Sequence, residues 1–239
     1  MAEIFDFVPI RLKLSNAYLL IGPDEGPILI DTGSPGEADA IEKAVKAEGF
    51  ELEDLALIAH THAHSDHVGS TAELLRRADV PTALHPADRE RLASGTNGPL
   101  RGIGTRGRTM SFAFSNAKFE PFEPTIDLAE GTLAQWGWGD MEVWETPGHT
   151  AGSVTFRRSG LLWCGDVLMG GGLGGKLRPK DVRYHYFADD LEATRASIAR
   201  LVGLGHGLSV LHPGHGGPLL SDDVSAFAQK EHIKPRKPA

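Results

Sequence analysis

The chain has 239 residues, of which 41% are hydrophobic, and it is therefore long and apolar enough to bury a sizeable core in one domain. Its 24 lysines and arginines face 32 aspartates and glutamates, and the net charge of −8 disfavours nucleic acid as a partner. A single cysteine excludes an intrachain disulfide, no apolar run is long enough to span a bilayer, and the N-terminus lacks a signal-peptide pattern. We therefore predict a cytoplasmic protein without a membrane segment.

Strands and helices alternate along the first half of the chain. Apolar runs and period-2 patterns predict strands over residues 4–14, 16–21, 28–30, 55–60 and 81–84. Apolar residues at helical spacing predict helices over residues 38–48, 71–77 and 86–93. This alternation is typical of an α/β domain.

The periodicity is lost between residues 94 and 124, where glycines and prolines recur. We predict a long connection without regular structure, and such connections inside a domain are usually functional. The segment contains three arginines and four phenylalanines: Arg101, Arg106, Arg108, Phe112, Phe114, Phe119 and Phe122. Two interpretations stay open, because the phenylalanines either fill the core from a surface excursion or wall a substrate pocket.

The second half is richer in strands. These are predicted over residues 125–128, 141–146, 153–157, 161–164 and 208–211, with helices over 188–202 and 222–229. Trp136, Trp138 and Trp144 are expected in the core or on a sheet face. Two halves that each pass from a meander into helices and strands predict an α/β fold, an αββα sandwich of two pseudo-repeated halves. We expect one domain over residues 1–232 and a frayed tail over 233–239.

Four possible metal ligands lie within six residues after the fourth predicted strand: His62, His64, Asp66 and His67. In an extended turn His62 and His64 point the same way, whereas Asp66 and His67 open the next helix and point elsewhere. The loop can therefore serve two adjacent metal positions. A polar loop whose histidines satisfy backbone groups is the alternative, but packing several imidazoles with a carboxylate has little structural purpose without a cation.

Five motifs in order resemble those of the metallo-β-lactamase superfamily. They are Leu29-Ile30-Asp31-Thr32-Gly33, His62-Ala63-His64-Ser65-Asp66-His67, Thr146-Pro147-Gly148-His149-Thr150, Trp163-Cys164-Gly165-Asp166 and Pro213-Gly214-His215-Gly216. The resemblance extends from Asp31 to His215, which is nearly the whole chain. It implies an αββα sandwich of the metallo-β-lactamase type that holds two divalent metal ions. Zinc is the expected ion, and the same ligand types accept iron or manganese.

The resemblance also implies a set of seven metal ligands, divided as His62, His64 and His149 for the first ion, Asp66, His67 and His215 for the second, and Asp166 between the two. Asp31 would brace the loop at residues 62–67 rather than bind metal. Two cations that share a hydroxide would make the chain a hydrolase, in which Asp66 is also the candidate catalytic residue.

We therefore predict a dinuclear hydrolase of a small ester, lactone or thioester. The alternatives are a phosphodiesterase, a single-iron sulfur dioxygenase and a non-catalytic metal-binding member. Asp166 argues against a true β-lactamase. The 24 residues after His215 (239 minus 215) are too few for the added domain of glyoxalase II enzymes, and Met169 stands where acyl-homoserine lactonases have a tyrosine.

Several other residues with possible chemistry are expected to be structural. His60, His85 and Cys164 are interpreted as buried side chains, and His212 is the reserve candidate for the ligand slot of His215. Glycine runs at residues 102–107 and 170–175 match the dinucleotide-binding pattern. The first run follows a loop instead of a strand, and the second leads into no clear helix start, so we expect flexible loops.

Specificity is expected to come from two segments, residues 94–124 and 170–186, which we predict to form the walls of a pocket above the metals. The phenylalanines, including Phe112, would then favour an apolar acyl or aromatic portion of the substrate, while Lys176 or an arginine such as Arg108 would take a carboxylate. Tyr184 and Tyr186 either steady an oxyanion or lie on a surface loop, and both readings stay open.

Overall fold

The computed structural model describes residues 6–22, 26–134, 138–204 and 210–235, and it contains two six-stranded sheets. The first sheet consists, in spatial order, of β1 (Asp6–Arg11), β2 (Asn16–Ile21), β3 (Ile28–Ile30), β4 (Leu57–Ala59), β5 (Thr82–Leu84) and β6 (Ile126–Asp127). Its first three strands are antiparallel, and β3 to β6 are parallel. A meander thus leads into a parallel half, which places the ends of several strands at one edge.

The second sheet has the spatial order β14, β13, β10, β9, β8, β7. These strands are β7 (Gly131–Leu133), β8 (Trp138–Glu145), β9 (Val154–Arg158), β10 (Leu161–Gly165), β13 (Val210–Pro213) and β14 (Leu219–Leu220). Only β10 and β13 pair in parallel. A separate hairpin is formed by β11 (Met169–Gly172) and β12 (Leu177–Arg183).

The helices are α1 (Ala38–Ala47), α2 (Thr71–Leu75), α3 (Arg89–Ser94), α4 (Gly104–Phe114), α5 (Leu191–Val202) and α6 (Ser221–Lys230). Short 3-10 turns occupy Leu52–Asp54 and Pro86–Asp88. Within the described ranges, none of these helices combines the length and apolar character needed to cross a membrane.

The alternation of side chains along each strand produces the layers. In β3, Ile28 and Ile30 point into a core that contacts the second sheet, whereas Leu29 packs with Ile41 and Val45 of α1 on the other face. All five side chains are buried, and each contributes about 1.5–3 kcal/mol relative to an exposed position. The first sheet is therefore covered by helix on one side and by sheet on the other.

The second sheet follows the same rule. In β10, Trp163 joins the core between the sheets, while Leu162 and Cys164 pack with Ile198 and Leu201 of α5. The resulting order is helix, sheet, sheet, helix, so the predicted αββα sandwich is confirmed.

Several predicted elements match the structure closely, including β2 and β3, and the remaining predicted strands differ mainly at their ends. Trp138 and Trp144 are buried as expected. Trp136 and residues 4–5, 208–209 and 236–239 of the predicted elements lie outside the described residues. Ile233 does not fray, because it is buried against the layer of α5 and α6, and the tail beyond it stays a prediction.

The prediction of a structureless connection over residues 94–124 is wrong, because α4 lies within it. Only Gly107 of this helix is buried, so no stripe of buried apolar side chains at helical spacing marks it. A side chain at Gly107 would overlap the carbonyl oxygen of Tyr186, and one at Gly102 would overlap the Gly107 backbone. The glycine run at residues 102–107 is therefore a close backbone contact that leads into a helix, rather than a flexible loop.

The glycine run at residues 170–175 is also more ordered than predicted, since its first half belongs to β11. A Cβ atom at Gly170 would overlap the Pro179 carbonyl and come within 2.5 Å of the Gly217 nitrogen. The partner strand β12 was missed because it is almost entirely exposed and charged, with no apolar alternation. The short strands β7 and β14 were missed as well.

Candidate metal centre

The predicted ligands follow the ends of four strands that reach the same edge of the sandwich. The loop with His62, His64, Asp66 and His67 follows β4, and His149 follows β8; Asp166 follows β10, and His215 follows β13. The pairing pattern gives β8, β10 and β13 the same direction in the second sheet. Strand direction therefore brings side chains that are far apart in sequence to one place, as is usual for sites in α/β folds.

Three of the histidines form the first group of donor atoms. His62 Nε2 lies 3.1 Å from His64 Nδ1, and His149 Nε2 lies 2.9 Å from the same atom. All three rings are buried, and burial lowers the pKa of each below its usual value. They are therefore neutral near pH 7, which is the form in which imidazole binds a metal ion.

Asp66, His67 and His215 form a second group whose donor atoms lie within 4.8 Å of one another. Asp166 lies between the two groups. Its Oδ2 atom is 3.4 Å from His67 Nε2, 3.3 Å from His215 Nε2 and 3.5 Å from His149 Nε2. The structure thus brings all seven predicted ligands into one cluster, with Asp166 where a bridging carboxylate would lie.

In three of the ligand histidines, the second ring nitrogen has a partner that accepts a hydrogen bond. His67 Nδ1 donates to Asp31 Oδ2 (2.8 Å), His149 Nδ1 to the Phe187 carbonyl (2.9 Å) and His215 Nδ1 to the Leu14 carbonyl (2.8 Å). Such partners fix the neutral tautomer that leaves the Nε2 lone pair free.

Asp31 is the brace that the sequence predicted. Besides His67, it accepts hydrogen bonds from the backbone N–H and the hydroxyl of Thr61, both at 2.8 Å. Its φ of 61° is in the left-handed region, which is unusual for a residue other than glycine and is held by these contacts.

Unpaired atoms in the cluster show that it suits a cation. His67 Nε2, His215 Nε2 and Asp166 Oδ1 are buried and have no hydrogen-bond partner among the described residues. Buried polar atoms without partners are rare in folded proteins. Here they converge with the first three imidazoles in a mixed nitrogen and oxygen donor set, which fits divalent transition metals.

The charges of the cluster lead to the same conclusion. Burial opposes the charge on Asp166, but the charges of His215, His185 and His67 hold the pKa of that carboxyl well below its usual value. Burial likewise opposes protonation of His215, yet Asp166 raises the pKa of His215 to about 10. The pKa of His67 is also raised, against burial, by Asp166 and Asp31. The buried carboxylates therefore demand positive charge, which protons or metal ions can supply.

His185 is a site residue that the sequence reasoning missed. Its Nε2 atom lies 3.4 Å from Asp166 Oδ2, and together with His149 and Asp166 it forms a further group of close donor atoms. It is 8% exposed, and burial lowers its pKa to about 3. The sequence could have identified His185 only through its position in the segment 170–186, which is predicted to wall the pocket.

Asp88 was also missed. It is 1% exposed, and its carboxylate accepts hydrogen bonds from the Ala63 N–H (2.9 Å), the Thr150 hydroxyl (2.8 Å) and the Gly152 N–H (2.9 Å). One buried carboxylate thus joins the loop of His62 and His64 to the loop of His149. No sequence motif identifies it, because its partners are backbone and hydroxyl groups distant in the chain.

Three further histidines and the cysteine lie apart from the donor groups. His60 is buried, with Nε2 3.2 Å from the Thr71 hydroxyl, as expected. His85 is only partly buried and accepts a hydrogen bond from the Ala87 N–H, so its assignment to the core is wrong. His212 stacks on Trp163 and belongs to no donor group among the described residues. Burial raises the pKa of Cys164 to about 12, so its thiol stays protonated.

A cavity of about 570 Å³ opens above the cluster, and His64, Asp66, His185 and His215 form its floor. Both predicted segments contribute walls. Their lining residues are Asn97, Leu100, Arg106, Met110 and Phe114 from the first, and Leu173, Gly174, Lys176 and Tyr186 from the second, with Leu14 and Phe187 completing the wall.

Some predicted wall residues lie elsewhere. Phe112 is 89% exposed on the outside of α4, because it points away from the helix face that bears Met110 and Phe114. Arg101 and Arg108 line a separate surface groove, whereas Arg106 of the same segment lines the cavity. Tyr184 bonds to Arg195 outside the cavity, whereas the Tyr186 hydroxyl lies in the wall and accepts a hydrogen bond from the Leu173 N–H (2.9 Å).

Comparison with known proteins identifies the family. The model of the metallo-beta-lactamase superfamily matches residues 10–215. Probable metallo-hydrolase YqgX of Bacillus subtilis strain 168 is 33% identical over 173 residues, covering 70% of this chain and 72% of that protein. A hydroxyacylglutathione hydrolase of Alkalilimnicola ehrlichii is 30% identical over 160 residues, covering 67% of this chain and 50% of that enzyme.

A solved structure has a similar fold. TTHA1623 in a di-iron-bound form aligns with a TM-score of 0.68 and 29% identity, covering 95% of this chain and 98% of that chain. The family match, the relatives and the buried donor cluster agree with the resemblance of the five motifs. The chain therefore belongs to the metallo-beta-lactamase superfamily and is a metal-dependent hydrolase.

Proposed function

We propose that the chain is a dinuclear hydrolase that acts on a small ester, lactone or thioester. The observation that carries the proposal is the set of unpartnered donor atoms of His67, His215 and Asp166 beside the three converging imidazoles. These groups suit two adjacent cations and lie directly under a mostly apolar cavity. When bound, divalent ions polarise a carbonyl and lower the pKa of water toward about 7, which suits hydrolysis.

The protein supplies the position and the surroundings of the scissile group. Phe114, Phe187 and Met110 form an apolar wall that limits water around the substrate. Tyr186 uses its hydroxyl oxygen to accept the Leu173 N–H, which leaves its own O–H free to donate toward the cavity. This phenol is suited to hydrogen-bond an oxygen of the substrate on which negative charge develops.

Two cations in the walls favour a substrate with an anionic group. The side chains of Arg106 and Lys176 line the cavity and make no ion pair or hydrogen bond with any described residue. Other arginines of this acidic chain are paired with carboxylates, for example Arg77 and Arg89. Unpaired cations beside apolar side chains fit an apolar acyl portion that ends in, or lies next to, a carboxylate.

The relatives guide the choice of substrates and metals for testing. One relative is a hydroxyacylglutathione hydrolase, so acylated glutathione and other thioesters carrying carboxylates are the first substrates to try. A structural neighbour contains two irons, so iron stands beside zinc as a candidate ion. The ligand types present accept both metals.

The test is a hydrolysis assay with protein reconstituted separately with Zn²⁺ and Fe²⁺ and with metal content measured for each preparation. The panel contains thioesters, lactones and p-nitrophenyl esters, each with and without a carboxylate. The expected result is about two metal ions per chain and chelator-sensitive turnover, faster for substrates with the carboxylate. Absence of bound metal, or turnover unaffected by chelator, would refute the proposal.

The same assay separates the alternative activities. Preferential cleavage of bis(p-nitrophenyl) phosphate would indicate a phosphodiesterase. Oxygen uptake with one iron per chain would indicate a sulfur dioxygenase. Metal binding without turnover of any substrate class would indicate a non-catalytic member. Arg101 and Arg108 lie in a separate groove and Arg106 lines the cavity, so the three arginines do not form one patch that would favour a polyanionic substrate.

A further inference from the structure

His185 sits at the junction of the metal cluster and the cavity, and none of the five motifs contains it. Its ring stacks on His215 at a centroid distance of 5.2 Å and packs edge-on against His149 at 4.6 Å. Its Nε2 atom is 3.4 Å from Asp166 Oδ2. On distance alone the residue qualifies either as an eighth metal ligand or as a group that acts on Asp166.

The hydrogen bond on the opposite ring nitrogen distinguishes these roles. In His67, His149 and His215 the Nδ1 atom faces an acceptor, so it carries the proton and leaves Nε2 bare for a metal ion. In His185 the Nδ1 atom instead accepts a hydrogen bond from the Phe187 N–H (3.3 Å). A neutral imidazole has one proton, so that of His185 lies on Nε2.

One residue, Phe187, thus sets two opposite tautomers, because its carbonyl accepts from His149 while its N–H donates to His185. The backbone at this point is held firmly. Phe187 forms a β-bridge with Gly102, and its neighbours exchange hydrogen bonds with Arg101 and Ile103, at 3.0 Å and 2.7 Å. The connection before α4 therefore fixes the orientation of both imidazoles.

We propose that His185 is a neutral N–H donor that orients Asp166 and is not a metal ligand. Five imidazoles surround Asp166 Oδ2 within 4.0 Å: His62, His67, His149, His185 and His215. Four of them belong to the ligand set, so among these five described rings His185 is the one whose Nε2–H is available to the carboxylate. A hydrogen bond to a metal-binding carboxylate fixes its direction and tunes its donor strength.

The inference rests on the proposed dinuclear site and makes His185 a positioning residue. Removal of a residue that hydrogen-bonds to a metal ligand typically lowers metal affinity or activity by about 10–100-fold. Removal of the N–H donor should therefore weaken metal binding without removing a ligand. Glutamine keeps an amide N–H and is expected to restore most of the loss, whereas alanine cannot.

The experiment compares wild type, His185→Ala and His185→Gln, with Tyr184→Phe as the matched control in the same segment outside the cavity. Zn²⁺ protein is titrated with a competing chelator, and Co²⁺ protein is examined by absorption spectroscopy at saturating metal. We expect His185→Ala to lower metal affinity about 10–100-fold, with unchanged stoichiometry and Co²⁺ spectrum, and His185→Gln to approach wild type. Tyr184→Phe should equal wild type.

Three results would overturn the proposal. A lost metal ion or an altered Co²⁺ spectrum in both His185 variants would make His185 a ligand, and unchanged affinity in His185→Ala would make it a packing residue. The tautomer is checked by ¹⁵N NMR of histidines in the Zn²⁺ protein, where a proton on Nδ1 of His185 would also overturn it. Thermal melting of each variant separates these outcomes from misfolding. None of these measurements needs a substrate, and a wild type that binds no metal refutes the proposed function instead.

Discussion

The floor and the walls of the cavity are built in different ways. On the floor, the ligand side chains are almost entirely buried, and His67, His149 and His215 are each oriented by an accepting partner. In the walls, α4 and the turn between β11 and β12 present exposed side chains, and the cations Arg106 and Lys176 have no side-chain partner among the described residues. The floor is thus a fixed network, while the walls offer unsatisfied groups.

This difference suggests that the floor controls the reaction and that the walls control substrate specificity. A network of buried hydrogen bonds tolerates little change, because each lost partner leaves another polar group unsatisfied in a medium of low dielectric. An exposed wall residue can change at small cost to stability. We therefore expect variants of the floor to abolish metal binding or activity, and variants of the walls to alter substrate preference.

The largest effect is expected from the floor itself. Asp166→Ala removes the carboxylate that lies between the two ligand groups and leaves His67 paired with Asp31 and His215 paired with Asp66. We expect loss of at least one metal ion and a fall in kcat/KM of about 10³-fold, equivalent to about 4 kcal/mol. Metal analysis measures the loss of the ion, and an ester hydrolysis assay measures the fall in kcat/KM. The exposed His232→Gln serves as control, and full metal content in Asp166→Ala would contradict the assignment.

Metal binding should depend steeply on pH. Without metal, the carboxylates hold the pKa of His215 at about 10 and raise that of His67, so both rings are protonated at pH 7.5, whereas His62, His64 and His149 are neutral. Binding must displace about two protons, and the apparent affinity should fall by about 100-fold per pH unit on acidification.

Calorimetry of Zn²⁺ binding in buffers of different ionisation enthalpy counts the protons released. His215→Ala should release about one fewer proton than wild type. Release of no protons at pH 7.5 would show that the carboxylates do not hold these rings in the charged form.

A smaller loss is expected when a brace is removed rather than a ligand. Asp88→Ala leaves the Ala63 N–H, the Gly152 N–H and the Thr150 hydroxyl without their common acceptor. We expect metal affinity or activity to fall about 10–100-fold and the free energy of unfolding to fall by about 1–3 kcal/mol. Asp88→Asn keeps one acceptor oxygen, so its metal affinity and its free energy of unfolding should lie between those of wild type and Asp88→Ala. Wild-type affinity in Asp88→Ala would show that the two loops hold their positions independently.

The walls should affect recognition only. Arg106→Gln and Lys176→Gln are each expected to raise KM about 10-fold for a substrate with a carboxylate and to leave an uncharged analogue unaffected, because the contribution of each cation is about 1–1.5 kcal/mol. Arg108→Gln, in the separate groove, is the matched control. An equal change of KM for charged and uncharged substrates would exclude anion recognition by these side chains.

The smallest effect is expected on the outer face of the wall. Phe112 is 89% exposed, so Phe112→Ser should change the free energy of unfolding by no more than about 0.5 kcal/mol and leave kcat/KM as in wild type. Denaturant unfolding and the ester assay test this together. A clear loss of activity would mean that Phe112 contacts the substrate through a movement of α4.

Much of the fold and the floor could be predicted because the signals are local. Apolar alternation in β2 and β3 and the donor spacing from His62 to His67 are properties of a few neighbouring residues. Helix α4 gave no such signal, because it buries only Gly107 and its packing depends on the Tyr186 carbonyl, which is 79 positions away (186 minus 107). The hairpin strand β12 was hidden in the same way by its exposed, charged sequence.

By itself the sequence determined the four donor side chains from His62 to His67, because ligand types and short spacings are written directly in the chain. The resemblance of its motifs added His149, Asp166 and His215. Only the tertiary structure decided which side chains join them. Asp88 reaches two loops, and His185 is turned toward Asp166 by the Phe187 backbone; Arg106 faces the cavity while Arg108 does not. These outcomes depend on contacts between distant segments, and such contacts exist only once hydrophobic burial has packed the two halves together.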